Sequence, residues 1–198
     1  MRTVDPEKYA RRRSQIIEAA AVEFALHGVD GASTAGICRR ARIGSGTLFH
    51  YFPTKIDIFH ALFREDQQRN AQICAEVLSQ PAQEGLDRLV DHLLADFGDP
   101  LVPGLTAAAL LQVNRDDAFA TMLAEDEQVV RHTLTALLER LRAEARPLPF
   151  TPAQTARWIQ RLLDACYLSA GDDDFDAGIA AAELRIMINW LLGRSDPR

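Results

Sequence analysis

Apolar residues recur along almost the whole chain at intervals of three and four positions. No run rich in Val, Ile and Thr alternates between apolar and polar positions. Intervals of three and four place apolar side chains on one face of an α-helix, whereas alternation is typical of a strand. The pattern therefore predicts an all-α protein of about nine helices.

The N-terminal part divides into short helices. A first helix carries apolar residues on one face and is predicted to end near Gly28. A second follows Ser33 and Thr34, either of which can cap its free N–H groups. A third occupies residues 44–52, because the residue before Pro53 disfavours helical geometry. A fourth is capped by Thr54, with Asp57 as its capping-box partner, and is expected to reach about Gln80.

The remaining chain carries five further helical patterns. Thr151, Pro152 and Gln154 give the strongest start, since they combine a capping threonine, proline at the first helical position and a capping-box glutamine. A Gly-Asp-Asp-Asp connector at 171–174 precedes the last helix, which is predicted to end near Gly193. The other three are predicted over residues 82–97, 104–114 and 116–145.

Charge is distributed unevenly along the chain. The net charge is −6, yet residues 1–55 carry nine Lys/Arg against five Asp/Glu and the rest carry 13 against 23. A basic N-terminal part on an acidic body predicts that only the N-terminal part meets a polyanion such as DNA. Three scattered cysteines are too few for a disulfide framework or a zinc site and favour a reducing cytoplasm. We expect neither a signal peptide nor a membrane span.

The stretch GSGTLFHYFPTK, residues 44–55, combines small, polar and aromatic residues. Helical spacing places Leu48, Phe49 and Phe52 toward a core, and Thr47, His50 and Tyr51 on the opposite face. The polar set suits phosphate oxygens and base edges in a major groove. We expect Gly46 to allow close approach to the groove, and Lys55 to pair with a phosphate near a helix N-terminus.

The run IIEAAAVEFALHGVDGASTAGICRRARIGSGTLFHYFPTKIDIF resembles the N-terminal domain of TetR/AcrR-type transcriptional regulators. The resemblance implies a helix-turn-helix DNA-binding domain over residues 1–54 and a ligand-binding and dimerisation domain over 55–198. It implies a sequence-specific regulator, most often a repressor, that a small molecule releases from a palindromic operator. The DNA-binding residues that it and the face analysis indicate are Thr34, Arg39, Ser45, Gly46, Thr47, His50, Tyr51 and Lys55.

This chain departs from the family pattern at positions next to the third helix, which is the DNA-recognition helix of the family. Gly44 replaces a frequent serine cap, and glycine caps acceptably. Arg42 stands where the family usually has glycine in the turn, and a positive φ there would cost roughly 1 kcal/mol. Ala35 and Gly36 stand where some relatives place base-reading side chains, which shifts readout toward Arg39, Ser45 and Thr47.

The last two helices each carry a broad apolar face, which predicts a homodimer interface rather than burial within one chain. The residues predicted at that interface are Ile159, Leu163, Cys166, Leu184, Met187, Ile188 and Leu191. An effector cavity in the C-terminal domain is implied by the resemblance, although core packing explains each of its candidate residues as well. These are His92, Phe97, Gln112, Phe119, Met122 and Trp158.

The acidic connector suggests a second function, calcium binding. Asp172, Asp174, Asp176 and Glu183 occupy positions 1, 3, 5 and 12 of a calcium-loop pattern, but the required glycine is replaced by Ala177. A solvated connector that caps the last helix explains the same acids. No nucleophile, HExxH, phosphate-loop or dinucleotide motif is present, so we predict no enzymatic activity, no cofactor and no metal.

Overall fold

The computed structural model describes residues 5–144 and 148–194. Within those ranges the chain is helical and contains no strand, which confirms the all-α prediction. Nine α-helices and one short 3-10 helix, Ala95–Gly98, occur there. The α-helices are α1 Pro6–Gly31, α2 Thr34–Ala41, α3 Ser45–Tyr51, α4 Lys55–Leu78, α5 Ala82–Leu94, α6 Val102–Val113, α7 Asp117–Ala143, α8 Pro152–Ser169 and α9 Ala177–Leu191.

The predicted helix boundaries rest on identifiable local bonds. Gly28 has a φ of 64° and breaks the helical geometry of α1, although the helix resumes and reaches Gly31. Thr54 and Asp57 form the predicted reciprocal cap, with the Thr54 N–H donating to Asp57 Oδ2 at 2.9 Å and the Asp57 N–H donating to Thr54 Oγ1 at 3.1 Å. Thr151 caps α8 in a capping box with Gln154.

The chain forms two compact units. The first comprises residues up to Asp66 together with Gly104–Ala120, and the second comprises Gln67–Pro103 and the chain from Thr121 onward. These units are groups of residues that pack together. The predicted boundary between residues 54 and 55 instead separates DNA binding from ligand binding and dimerisation. That boundary therefore stays a prediction.

An aromatic cluster holds the first unit together. The Phe59 ring, which is fully buried, lies 5.0 Å from the rings of Phe24, Phe63 and Phe119. Burial of one such ring contributes about 1.5–3 kcal/mol. The first turns of α4 are thus anchored to α1 and to the start of α7 in one core.

The core of the second unit contains side chains that were predicted to form the dimer interface. Ile159, Leu163, Leu184 and Ile188 are at most 6% exposed and pack among leucines of α5 and α7. Cys166 and Leu191 are partly buried against the same core, and Met187 is half-buried. The inner face of each helix is therefore used within the chain, and the assignment of these residues to a dimer interface stays a prediction. Whether the chain dimerises stays a prediction.

Large apolar side chains are nevertheless exposed on α8 and α9. Trp158 is 44% exposed and Trp190 is 62% exposed, and Ile186 is 40% exposed. Exposed tryptophans are unusual on a surface without a partner. In the part of the chain that the structure describes, no helix is long and apolar enough to cross a membrane.

Candidate nucleic-acid interface

Helices α2 and α3 and the turn between them form the helix-turn-helix. Ser33, rather than Thr34, caps α2, since its Oγ accepts from the Gly36 N–H at 2.9 Å. Thr34 is the first residue of α2. Arg42 ends α2 with φ 52° and ψ 49°, so the residue has the positive φ whose cost was considered above. Gly44 then caps α3 without a side-chain bond.

The outer face of α3 is open to solvent. Ser45, Gly46, Thr47 and His50 are exposed, while Leu48 is fully buried. Nothing lies within 4 Å of a Cβ placed on Gly46. This face therefore offers two hydroxyls, one imidazole and a backbone without a side chain to an approaching groove.

Phe49 is a correction within this helix. Its ring was expected in the core, yet the residue is 49% exposed. Because Leu48 and Phe52 lie four residues apart and both face inward, Phe49 is rotated away from them on a helix of seven residues. The exposed ring enlarges the outer surface of α3 and can contact thymine methyl groups.

Tyr51 is placed by an aromatic stack rather than left free. Its ring lies 4.5 Å from the ring of Tyr9 on α1 in a stacked arrangement. The His50 ring meets the Tyr51 ring edge-on at 5.4 Å. The stack couples the end of α3 to the start of α1 and restricts the directions that His50 and Tyr51 can adopt. Sequence reasoning missed Tyr9, whose only local signal is an aromatic residue among charges.

Lys55 is held at the C-terminal end of α1. Its Nζ donates to the Ala32 carbonyl at 2.7 Å and to the Asp30 carbonyl at 3.2 Å. A cation there complements the helix dipole. An ammonium has three donor positions, so at most one remains for a phosphate in this conformation. The phosphate contact of Lys55 stays a prediction. In this structure the side chain binds the end of α1.

The arginines of the basic region divide into two groups. Arg39 and Arg42 are exposed on α2 and the turn. Arg13 pairs with Glu65 at 2.7 Å and lies over the Phe52 ring. The positive surface beside α3 therefore comes from fewer arginines than the sequence contains.

Arg40 pairs with Glu23, a buried acid of α1. Arg40 Nε donates to Glu23 Oε1 at 2.7 Å, and the Glu23 side chain is only 4% exposed. The hydrogen bond from Arg40 is the main reason that the pKa of Glu23 lies below its usual value, with burial acting in the opposite direction. The pair fastens α2 to α1.

Gly36 provides space for that carboxylate. A Cβ at this position would lie 2.2 Å from Glu23 Oε2 and 2.8 Å from Oε1. Gly36 is buried and faces α1, so it is not an outward position that has lost a base-reading side chain; Ala35 is the exposed residue.

The six predicted effector residues are divided between the two units. Gln112 and Phe119 belong to the first unit, where the Gln112 amide donates to Asp116 at 3.2 Å. The other four belong to the second unit, in different surroundings: Phe97 packs on Tyr167, Met122 is buried, Trp158 is exposed and His92 is bonded to Asn70. An effector site stays a prediction.

A polar chain runs through the second unit at His92. His92 Nε2 lies 2.8 Å from Asn70 Oδ1, and Asn70 Nδ2 donates to Asp126 Oδ2 at 2.7 Å. An amide oxygen only accepts, so His92 Nε2 carries the proton. Asp126 Oδ1 is buried without a hydrogen-bond partner among the described residues, and burial raises the pKa of this carboxyl.

The acidic connector caps the last helix. Asp176 Oδ1 accepts from the Ile179 N–H at 2.9 Å, which is the role that the simpler interpretation assigned to it. Across residues 5–144 and 148–194, no group of three or more His, Cys, Asp or Glu side chains is arranged to hold a metal ion.

Comparisons with known proteins agree with this geometry. The family model described as "Bacterial regulatory proteins, tetR family" matches residues 16–62, which contain α2 and α3. The HTH-type transcriptional repressor AcnR of Corynebacterium diphtheriae is 31% identical over 147 residues, covering 73% of this chain and 71% of that protein. The HTH-type transcriptional regulator UidR of Escherichia coli is 37% identical over 196 residues, covering 92% and 94%.

Solved structures share the fold over nearly the whole chain. Salmonella enterica GusR superposes with a TM-score of 0.69 at 27% identity, covering 92% of this chain and 96% of that one. A TetR transcription regulator from Haloarcula marismortui gives a TM-score of 0.80 at 17% identity, covering 93% and 97%. The second likeness concerns the fold alone.

Proposed function

The chain belongs to the TetR family of bacterial regulatory proteins and is a DNA-binding transcriptional regulator, and from this we propose that it is a homodimeric repressor. Two copies present their α3 helices to the half-sites of a palindromic operator in the cytoplasm. A two-fold dimer matches such an operator when its half-sites lie one helical turn, about 34–36 Å, apart. The proposal assigns no reaction to the protein. Relatives named as repressors support this direction of regulation.

The observation that carries the proposal is the open outer face of α3. Buried Leu48 holds the helix down, and exposed Ser45, Gly46, Thr47 and His50 form a surface of hydrogen-bonding groups beside exposed Arg39. Hydroxyls and imidazole read base edges and phosphates, whereas arginine supplies phosphate attraction and guanine contacts. In the bound state we assign base readout to Ser45 and Thr47.

Selection of bound sequences from a random DNA pool tests this assignment. The recovered site is then titrated by fluorescence anisotropy at several salt concentrations. Thr47→Ala should relax preference at one base pair, at a cost of about 1–3 kcal/mol of discrimination. Gln128→Ala, an exposed change on α7, is the matched control and should leave the isotherm unchanged.

Lys55→Ala separates the two roles of that side chain. A phosphate contact predicts weaker binding to every sequence and a salt slope reduced by about one. Loss of the bonds to the Asp30 and Ala32 carbonyls predicts a lower melting temperature. A pool that returns no enriched sequence, for a protein folded by circular dichroism, contradicts the specific-regulator proposal.

We further propose that a small molecule binds in the second unit and lowers operator affinity. The polar chain ending at Asp126 supports a place for it, because a ligand with a hydroxyl or ammonium donor would satisfy the buried Oδ1. A melting screen of a small-molecule library, repeated with His92→Ala and Asp126→Asn, tests this location. A ligand that stabilises all three proteins equally binds elsewhere.

A further inference from the structure

A charged concavity of about 220 Å³ lies on the surface of α7 and α8 in the second unit. All of its lining side chains are polar or charged, and four of the six come from α8. The lining residues are Glu127, Arg131, Arg157, Gln160, Arg161 and Asp164.

Gln160 fixes the floor of the charged concavity. Its Nε2 donates to the Glu127 carbonyl at 2.8 Å, and its Oε1 accepts from Arg131 Nη1 at 3.3 Å. These bonds join α7 to α8. The charges on α8 are therefore carried by a helix with a defined position.

Three charged side chains around this floor form no ion pair in the described chain. Arg157 and Arg161 form no ion pair with any described acid, and Arg161 instead lies over the Trp158 ring at 5.2 Å. The Asp164 carboxylate likewise accepts no hydrogen bond from any residue that the structure describes. Burial raises the pKa of the Asp164 carboxyl, and the negative charge of Glu127 adds to that rise. Asp164 and both arginines are exposed, so a complementary surface can reach all three charges.

The arrangement of these charges is self-complementary. Arg157, Arg161 and Asp164 follow one another on α8 at spacings of four and three, so they share a face. In an isologous contact, residue i meets residue j of the other copy and j meets i. An antiparallel crossing of two α8 helices near Gln160 to Leu162 places each arginine opposite the partner's Asp164.

We infer that the charged concavity is a pairing device that selects a second copy of this chain. The inference rests on the proposed homodimer and names the residues that decide its register and choice of partner. The neighbouring Trp158, with the exposed Trp190 of α9, supplies apolar area at the contact. The charges make the contact specific for a second copy of this chain. A partner helix with a different order of charges would place like charges opposite each other and be repelled.

The test is a pair of complementary charge reversals in the full chain. One variant carries Arg157→Asp and Arg161→Asp, and the other carries Asp164→Arg. Each is expected to weaken its own homodimer at least tenfold in sedimentation equilibrium, since like charges then face each other twice. Mixed in equal amounts, with different affinity tags, they should form a heterodimer in preference to either homodimer.

The controls separate this inference from the homodimer itself. Asp173→Arg makes the same change in charge on the exposed connector and should dimerise as wild type does. Asp164→Asn removes the charge without reversing it and should weaken pairing less than Asp164→Arg. Circular dichroism and melting temperature report whether each variant is folded.

A wild-type chain that is monomeric at micromolar concentration overturns the homodimer and the pairing device together. A wild-type dimer whose charge variants pair normally, and show no heterodimer preference, overturns the pairing device and leaves the homodimer standing. Weakened homodimers with a preferred heterodimer establish it.

Discussion

Replacement of Gly36 by alanine tests how α2 is fastened to α1. The added methyl group would lie 2.2 Å from Glu23 Oε2 and 2.5 Å from Glu23 Cδ. The carboxylate is the end of a flexible side chain and can move. To do so it must leave Arg40 Nε, with which it forms a bond of 2.7 Å. The cost of the substitution is therefore the cost of losing that pair.

The size of the effect follows from two opposing contributions. Loss of a hydrogen bond between charged groups costs about 1.5–3 kcal/mol. Alanine favours the interior of α2 over glycine by about 1 kcal/mol. The net destabilisation should be about 0.5–2 kcal/mol. In a Glu23→Ala background no carboxylate opposes the methyl group, so Gly36→Ala should stabilise the protein by up to about 1 kcal/mol.

Urea unfolding is measured for wild type, Gly36→Ala, Glu23→Ala and the double variant. The effect of Gly36→Ala on the free energy of unfolding should change sign between the wild-type and Glu23→Ala backgrounds. Gly46→Ala is the matched control, because nothing lies within 4 Å of the added Cβ. The pKa of Glu23 is lowered from 4.5 in the folded protein, so the pair contributes stability above that pH and loses it as pH falls through the folded value. The gap between wild type and Gly36→Ala should therefore narrow in acid. Equal destabilisation by Gly36→Ala in both backgrounds would refute the role given to Glu23.

Three further changes test other local features. Arg42→Gly should raise the unfolding free energy by about 1 kcal/mol, because the residue has a φ of 52°; a urea midpoint at or below that of wild type contradicts this. The Phe119 N–H, and to a smaller extent His60, lower the pKa of the Asp116 carboxyl below its usual value of 3.8. Wild type therefore has extra stability above pH 3.8 that it loses as pH falls through the folded pKa, and Asp116→Asn should remove this extra stability. Unfolding free energies of the two proteins that run parallel across this pH range would contradict the prediction. Thr151→Ala should cost about 1 kcal/mol in thermal unfolding by removing the cap of α8, and Ala153→Ser, outside the cap, serves as control.

Much of this protein was predictable because the features concerned depend on neighbours within a few residues. The helices follow from apolar spacing, and the caps at Thr54 and Thr151 follow from residues three positions apart. The turn position of Arg42 identified the residue at which a positive φ had to be considered, and the structure shows a φ of 52° there. The helix-turn-helix, and with it the family, is carried by a continuous stretch of sequence.

Other features were decided by residues far apart along the chain. Local spacing shows that a side chain has an apolar or polar face, but not which distant element meets that face. Leu184 and Ile188 are therefore core residues although their helix pattern also suited a dimer contact, and Phe49 is exposed although it is aromatic. Lys55 contacts carbonyls more than twenty positions earlier. Gly36 accommodates a carboxylate from another helix, a constraint that exists only once α1 and α2 have packed together.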